Sequence, residues 1–261
     1  MAWTPDGRIV FSSAEGGQED LWIMNADGSA RRRLISDPAW DGDPAVSPDG
    51  KYIVFSSNRG KGGAVPDLWR MDIDGGNLTR LTSGEDTAPD VSPDGRWVIF
   101  SSWNPGPNGV TGQGLWKVSV DGGTSVQLTD YNSQVPEYSP DGNSIVCTIF
   151  DDQVTPKRWR NAVIPATGSL PIKQFDRPNY GYQYARWTRD GRYLSYIGNP
   201  AIPSNIWLQP VAGGEPRKLT DFKTDMIFRH AWSRDGKTLA VVRGNRTTDV
   251  VLMKDTGAGA P

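Results

Sequence analysis

The chain has 261 residues, with 28 Lys and Arg against 30 Asp and Glu, so its formal net charge is −2 at pH 7. This near-balance excludes the basic footprint of a nucleic-acid-binding protein, and there is no run of about 18 apolar residues to span a membrane. Thirty Gly, 20 Pro and 11 Trp are typical of a turn-dense β protein and do not suit a helical bundle. The single cysteine, Cys147, excludes an internal disulfide and a cysteine-rich zinc site.

A four-residue turn motif recurs six times, at steps of 43, 45, 47, 49 and 45 residues. The copies are Thr4-Pro5-Asp6-Gly7, Ser47-Pro48-Asp49-Gly50, Ser92-Pro93-Asp94-Gly95, Ser139-Pro140-Asp141-Gly142, Thr188-Arg189-Asp190-Gly191 and Ser233-Arg234-Asp235-Gly236. Pro presets φ and Gly accepts positive φ, so the motif predicts a tight hairpin turn in every copy. The first copy begins almost at once, and no signal peptide precedes it in this chain.

Each repeat contains four β-rich runs, named here strands a, b, c and d. In the second repeat, strand a ends at Val46, strand b is Tyr52–Phe55, strand c carries Leu68-Trp69, and strand d is Leu81-Thr82. Four-stranded units of roughly 40–45 residues are the signature of β-propeller blades. We therefore predict an all-β, six-bladed propeller of four-stranded antiparallel blades. It is expected to be one domain, 1–261, with blades at about 1–42, 43–87, 88–134, 135–182, 183–227 and 228–261.

The last blade is expected to have only three strands, near 229–233, 238–242 and 249–254. The tail from Asp255 to Pro261 lacks a strand pattern, and residues 1–4 are already strand a of the first blade. Ring closure is therefore predicted to depend on apolar packing between the first and last blades, with Trp3 and Trp232 among the contacts.

Several residues that look chemically useful are better interpreted as structural. The Trp residues of strand c, such as Trp69, are expected to fill the space between blades, and Cys147 is expected to be a small buried hydrophobe. Asp72–Asn77 resembles a calcium loop but lacks its terminal acid, so a hairpin turn is favoured. Arg31–Arg33 is interpreted as a solvated edge strand. No metal and no cofactor is predicted.

Catalysis is not expected of this chain on its own. His230 is the only histidine, and beside Phe228 and Trp232 it suits a packed or rim position better than a catalytic one. There is also no G-x-S-x-G elbow and no α/β unit to carry one.

Three stretches carry a family resemblance: SPDGKYIVFSSNRG, DLWRMDIDGGNLTRLTSG and DLWIMNADGSARRRL. They resemble the TolB-type propeller repeat, which all six copies match in outline. The fourth copy departs, because its strand c reads Asn161–Ile164 without the Leu-Trp pair. The last two copies are similar to the C-terminal propellers of bacterial transmembrane serine/threonine kinases and transcription regulators. Related repeats also build the propellers of prolyl oligopeptidase-like and dipeptidyl peptidase-like enzymes.

Binding is predicted on the face that carries the b–c and d–a connections. These connections vary in length and content, whereas the a–b and c–d turns are short and repetitive, and binding residues concentrate on variable loops held by a rigid scaffold. The d–a connections are rich in aromatic and charged residues, which are the usual makings of a binding hot spot; capping of the blade ends is an equally good interpretation. The candidate ligand-binding residues are Trp40, Asp43, Asp86, Tyr131, Tyr180, Tyr182, Phe228, Arg229 and His230.

The function predicted is a non-catalytic binding or sensing module, monomeric, that takes a protein segment, peptide or small ligand at the mouth of the central channel. By resemblance it is TolB-like or the sensor part of a receptor kinase, with a periplasmic or extracytoplasmic location. One alternative is the gating propeller of a serine peptidase whose catalytic domain is absent. Another is a sugar lyase or hydrolase, which needs clustered acids with a His or a metal.

Overall fold

The computed structural model of the protein describes residues 1–15, 17–60, 65–104, 113–176, 185–198 and 203–245. Within these ranges the chain forms five four-stranded antiparallel sheets and one sheet of two strands. Each sheet is built from consecutive strands, so each blade is contiguous in sequence. There is no helix in the described ranges with the length and hydropathy needed to cross a bilayer.

The strands follow the four-fold pattern of the repeats. Blade 1 contains β1 (Ala2–Trp3), β2 (Arg8–Ser13), β3 (Asp20–Asn25) and β4 (Arg32–Arg33). Blade 2 contains β5 (Asp41–Val46), β6 (Tyr52–Ser57), β7 (Asp67–Asp72) and β8 (Thr79–Arg80). Blade 3 contains β9 (Asp86–Val91), β10 (Trp97–Ser102), β11 (Gly114–Ser119) and β12 (Val126–Gln127).

The second half of the chain continues the series. Blade 4 contains β13 (Ser133–Tyr138), β14 (Ser144–Asp151), β15 (Arg158–Pro165) and β16 (Lys173–Asp176). Blade 5 contains β17 (Arg186–Trp187), β18 (Tyr193–Ile197), β19 (Ile206–Pro210) and β20 (Arg217–Lys218). The sixth sheet pairs β21 (Met226–Trp232) with β22 (Leu239–Gly244).

The predicted count of six blades is corrected by the structure to five complete blades within the described residues. The sixth repeat contributes its strands a and b at the predicted places. Its predicted strand c, near 249–254, lies outside the described residues, so the prediction of a three-stranded last blade stays a prediction.

The six a–b turns share one internal hydrogen-bond pattern. In the second copy Ser47 Oγ donates to Asp49 Oδ1 at 2.7 Å and accepts from the Tyr52 amide at 3.1 Å. The Gly50 amide closes the turn onto the Ser47 carbonyl at 3.0 Å, with Gly50 at φ 73°. Bonds of this kind hold the turn carboxylates ionised, and the pKa of Asp94 is lowered to about 2 by its bonds to Ser92 and the Arg96 amide.

The blade cores come mainly from strand b, where Phe55, Phe100 and Cys147 occupy equivalent positions and are all buried. Burial raises the pKa of the Cys147 thiol to about 12, which confirms it as a buried, protonated side chain. Trp69 and Trp116 are half-buried and pack on these cores from the outer side. The Asp72–Asn77 segment is a hairpin turn, closed by the Asp72 amide on the Gly76 carbonyl at 2.8 Å.

Arg31–Arg33 lies at the outer edge of blade 1 as predicted, with Arg31 and Arg32 exposed, and two of its residues also make contacts within the blade. Arg33 forms an ion pair with the fully buried carboxylate of Asp20 in the neighbouring strand. The guanidinium of Arg31 lies 4.7 Å above the Trp22 ring. The outer strand of blade 1 therefore fastens its own sheet through charges, and Arg80 with Asp67 repeats the pair in blade 2.

Ring closure occurs between the first and last repeats without an exchanged strand among the described residues. Trp3 Nε1 donates to the Ala231 carbonyl at 2.9 Å, and Trp3, Ile9 and Ala231 form one buried apolar cluster. The predicted contact of Trp3 is confirmed. Trp232 instead donates to Ser195 Oγ of blade 5 at 2.9 Å.

Candidate ligand-binding channel

The strands a of successive blades lie side by side around the ring and enclose a central channel. Its cavity has a volume of about 540 Å³ and is lined almost entirely by strand a and the a–b turn that follows. The wall combines proline, small apolar residues and seven charged side chains. These charged residues are Asp43, Asp90, Glu137, Arg186, Arg189, Arg229 and Arg234.

A bulge in strand a shapes the wall in blades 2, 3 and 4. The pairing with strand b shifts in register at the same place in all three blades. Asp43, Ala88 and Val135 have φ values of 48°, 52° and 52° there, and each is followed by proline. A bulge re-aims the side chains that follow it. The next residue after each proline, which is Ala45, Asp90 or Glu137, lines the channel.

Asp90 and Glu137 occupy equivalent positions in adjacent blades, and each binds the next blade along the ring. Asp90 Oδ2 accepts the Tyr138 amide at 2.8 Å, and Glu137 Oε1 accepts the Trp187 amide at 3.0 Å. Glu137 Oε2 also pairs with Arg186 at 2.5 Å. Burial, together with the neighbouring Glu137 charge, raises the pKa of Asp90 to about 7.

Positive charge comes from blade 5 and the sixth repeat. Arg186 follows the acids in the same row of the wall, and Arg189 and Arg234 occupy the turn position that is proline in the first four copies. The wall is therefore polarised, with carboxylates on blades 2 to 4 and guanidinium groups on blade 5 and the sixth repeat. A channel of this kind is suited to a ligand that carries both signs of charge.

Our sequence reasoning missed Asp90, Glu137, Arg186, Arg189 and Arg234. The signal was available in the repeat itself. The residue two places before the turn reads Ala2, Ala45, Asp90, Glu137, Arg186 and Ala231 in the six copies. A position that varies so widely within an otherwise regular repeat has no single packing role common to all blades.

Two of the predicted residues come together at the channel. Arg229 Nη2 donates to Asp43 Oδ1 at 3.2 Å, which joins the sixth repeat to blade 2. Phe228 precedes Arg229 in β21 and is half-buried. Both side chains of the pair line the cavity, toward the face that carries the d–a connections.

Trp40 lies on that face but is held by the protein. Its Nε1 donates to Glu19 Oε2 at 2.7 Å, and its amide donates to Asn58 Oδ1 at 2.8 Å. The ring lies against the backbone of Gly42, where an added Cβ would be 2.4 Å from Cζ2 of Trp40. The side chain is half-buried, so part of the ring is available to a ligand.

Three predicted residues do not reach the channel as expected. Asp86 is 1% exposed, and burial raises the pKa of its carboxyl group, partly offset by bonds from Ser102 and Thr82. Tyr131 packs against the buried cluster shared by blades 3 and 4 and donates to the Ser169 carbonyl at 2.8 Å.

His230 is the third, with its Nε2 3.0 Å from Ser195 Oγ. It is 2% exposed, and burial with the nearby Arg186 charge lowers its pKa to about 3. These three side chains are held by contacts within the protein and do not line the channel cavity. Tyr180 and Tyr182 lie outside the described residues.

The described residues contain no group of three or more His, Cys, Asp or Glu side chains arranged to hold a metal ion. The acids of the channel bind backbone amides and arginine instead.

The chain is similar to TolB proteins both in sequence and in structure. A 43-residue segment is 56% identical to the Tol-Pal system protein TolB of Anaeromyxobacter dehalogenans, covering 16% of this chain and 10% of that protein. The crystal structure of TolB from Acinetobacter baumannii superposes with a TM-score of 0.63 at 18% identity, over 93% of this chain and 65% of that one. The chain thus aligns with only part of these relatives.

An enzyme shares the fold as well. The oligogalacturonate lyase of Vibrio parahaemolyticus superposes with a TM-score of 0.60 at 14% identity, over 91% of this chain and 68% of the lyase chain. At this identity the likeness shows the fold alone, because propellers carry unrelated functions on one scaffold.

The family model described as the TolB beta propeller domain matches residues 1–158, which is more than half of the chain. The matched residues contain the first three complete blades and strands a and b of the fourth. The structure supplies the four-stranded blades that such repeats require. The chain therefore belongs to the TolB beta propeller domain family.

Proposed function

We propose that this chain is a non-catalytic binding module that takes a segment of a partner protein or a small ligand at the channel mouth on the d–a and b–c face. The observation that carries the proposal is the Asp43–Arg229 pair, at 3.2 Å, in the wall of the 540 Å³ cavity. The Asp43 side chain is 18% exposed and that of Arg229 is 41% exposed. A ligand entering from this face therefore meets both charges.

The half-buried ring of Trp40 supports the same face. It adds a flat apolar surface on the d–a connection, fixed by Glu19 and Asn58. Rigid aromatic side chains beside charged groups are favourable contacts for a peptide because little conformational entropy is lost on binding.

The position of His230 supports a role without catalysis. Neutral at pH 7 and enclosed beside Ser195, it offers no base to the channel. The acids Asp90 and Glu137 are engaged by amides of the next blade. General acid–base chemistry requires a titratable group within hydrogen-bond reach of the substrate.

The experiment is a screen of the 261-residue protein against a random dodecapeptide library, followed by fluorescence polarisation with the enriched peptides. Replacing Arg229 with Met should weaken their binding at least ten-fold, because the variant keeps the side-chain length and loses the charge. Trp40→Ala should weaken binding by a smaller factor. Neither change should alter the melting temperature by more than a few degrees.

The matched control is Arg192→Met, which removes an exposed guanidinium from the opposite face. Enriched peptides that bind Arg229→Met and Arg192→Met equally well would contradict the proposed face. Failure to enrich any peptide, together with unchanged spectra in a small-molecule fragment screen, would overturn the binding role itself.

The proposal includes a periplasmic or extracytoplasmic location, supported by membership of the TolB propeller family. The narrower resemblance of the last two repeats to kinase and regulator propellers stays a prediction, as does a monomeric state.

A further inference from the structure

The a–b turns differ at one residue between the two parts of the ring. Their second position is proline in the first four copies and arginine in the last two, Arg189 and Arg234. Proline suits this turn position because its fixed φ is the one required. Arginine at this position lacks the fixed φ of proline. Both arginines line the same cavity.

The packing role of this position does not explain Arg189. In the earlier blades the proline ring packs on the turn of the next blade, as Pro93 does on Gly142, where an added Cβ would lie 3.6 Å from its Cδ. In blade 5 the Cβ of Arg189 fills that place, 2.6 Å from a Cβ built on Gly236. The aliphatic part of the Arg189 side chain is therefore enough to pack against the turn of the next repeat. The guanidinium is left exposed, with no hydrogen bond or ion pair to any residue in the described ranges.

Arg234 extends in the other direction, into the channel. Its Nη2 donates to the Val46 carbonyl at 2.6 Å and to the Ser47 carbonyl at 3.3 Å, both in blade 2. The side chain therefore crosses the channel end at the level of these residues. Burial lowers its pKa, the negative charge of Asp90 offsets part of this, and the positive charge of Arg189 lowers the pKa further. Two like charges are thus held close together on adjacent turns.

We propose that Arg189 and Arg234 form a binding site for a single carboxylate group at the a–b end of the channel, the end opposite the mouth assigned above. A planar guanidinium donates two parallel hydrogen bonds to a carboxylate. A carboxylate that contacts both guanidinium groups would offset the repulsion between Arg189 and Arg234.

The wall around the pair selects among anions. Asp90 and Glu137 act on Arg234 from the same cavity. Their negative charge disfavours a phosphate dianion more than a carboxylate, which carries half the charge. It also favours a carboxylate ligand that carries an ammonium group, because that group would face the two acids. The ligand class is therefore a small carboxylate, with amino acids preferred over simple acids.

The test uses acetate, glycine, glycinamide and inorganic phosphate as probes of the full 261-residue protein. Each is titrated at constant ionic strength and pH 7, with amide and arginine side-chain NMR shifts as the readout. Ligands this small bind weakly, so the titrations run at millimolar concentration. We expect saturable shifts with acetate and tighter binding of glycine. Glycinamide and phosphate should each bind at least ten-fold more weakly than glycine.

The decisive variant is Arg189→Pro, which installs the residue of the other turns while removing the charge. We expect its melting temperature to equal or exceed that of the wild type, and its affinity for glycine to fall at least ten-fold. Arg192→Met, on the same face but outside the cavity, should bind glycine as the wild type does. Arg189→Gln gives the same test should the proline variant fail to fold.

Three results would overturn the proposal: no saturable shift with acetate or glycine, equal binding of glycine and glycinamide, or undiminished glycine binding by Arg189→Pro. Phosphate binding more tightly than glycine would overturn the ligand class. None of these results depends on the peptide screen, because Arg229 and Trp40 remain intact in every variant.

Discussion

The blade interiors and the channel wall are built from the same repeats, but they vary in different ways. In strand b the same small set of apolar residues returns, as in Ile53-Val54-Phe55 and Val98-Ile99-Phe100, and all six side chains are buried. In strand a the channel-facing position changes from Ala45 to Asp90 to Arg186. Packing against neighbouring sheets restricts the first set, since interiors are close-packed. The second set lines the channel, where no one packing partner recurs, and its charge differs from blade to blade.

The largest expected effect tests the interior. Replacing Phe55 with Ala, at a fully buried site, should lower the free energy of unfolding by about 3–5 kcal/mol, because it leaves a cavity between blades. Urea denaturation measures this directly. The matched control is Phe150→Ala, at a site 36% exposed, which should cost less than about 1 kcal/mol. Equal losses at the two sites would mean that strand b does not form the core.

A second change tests a charged contact inside a blade. Arg33→Met leaves the buried Asp20 carboxylate without its ion-pair partner and should cost about 2 kcal/mol, since an unpaired buried charge is strongly destabilising. Arg32→Met, one residue away and exposed, should stay within about 0.5 kcal/mol. Chemical denaturation of both variants makes the comparison. If Arg33→Met is as harmless as its neighbour, the pair contributes nothing to blade 1.

The third change tests the channel wall through pH. Asp90 has its pKa raised from 3.8 to about 7 by burial and by Glu137, so the folded protein binds more protons than the unfolded chain between these values. Its contribution to stability is therefore full below pH 4 and is lost as the pH rises to 7. Asp90→Asn keeps an oxygen for the Tyr138 amide and cannot ionise. It should remove about 2 kcal/mol of the stability loss seen between pH 5 and 7.

The measurement is the free energy of unfolding at several pH values for wild type and Asp90→Asn. Asp49→Asn is the control, because Asp49 lies in an exposed turn and its pKa is lowered by Ser47 and the Lys51 amide. The Asp49→Asn substitution should change the pH dependence of stability only at acid pH, below the usual pKa of an aspartate. Parallel curves for wild type and Asp90→Asn from pH 5 to 7 would show that Asp90 does not titrate there.

The fold could be predicted because its determinants are local. The hydrogen bonds of each Ser-Pro-Asp-Gly turn join residues within the turn, and the apolar pattern of strand b lies within one short run. Each feature can therefore be recognised from a few consecutive residues. The contact of Tyr131 with the Ser169 carbonyl could not be read from the sequence, because the two residues lie 38 positions apart in neighbouring blades. The burial of Asp86 could not be read from the sequence either. The sequence around an exposed loop aspartate can be the same as that around a buried one. The burial of Asp86 is set by the packing of blade 3.

The channel residues were missed for a different reason. The repeat was recognised from the positions that stay the same in every copy. Asp90, Glu137 and Arg186 occupy a position whose residue changes from copy to copy, so the repeat pattern did not point to them. Asp43 and Arg229 were found because they stand in connections already expected to bind. Their mutual contact spans 186 residues and could not be read from the sequence.

The bonds that close the ring have a consequence for how the protein is made. Each complete blade is contiguous in sequence and pairs its strands with near neighbours, which is the arrangement that folds quickly. The contacts of Trp3 with Ala231, Asp43 with Arg229 and Val46 with Arg234 span 228, 186 and 188 residues. They can form only after the sixth repeat has left the ribosome. Blades that fold one after another during synthesis would thus form an open, unclosed ring. The channel would be completed only in the last step, when the sixth repeat binds the first two blades.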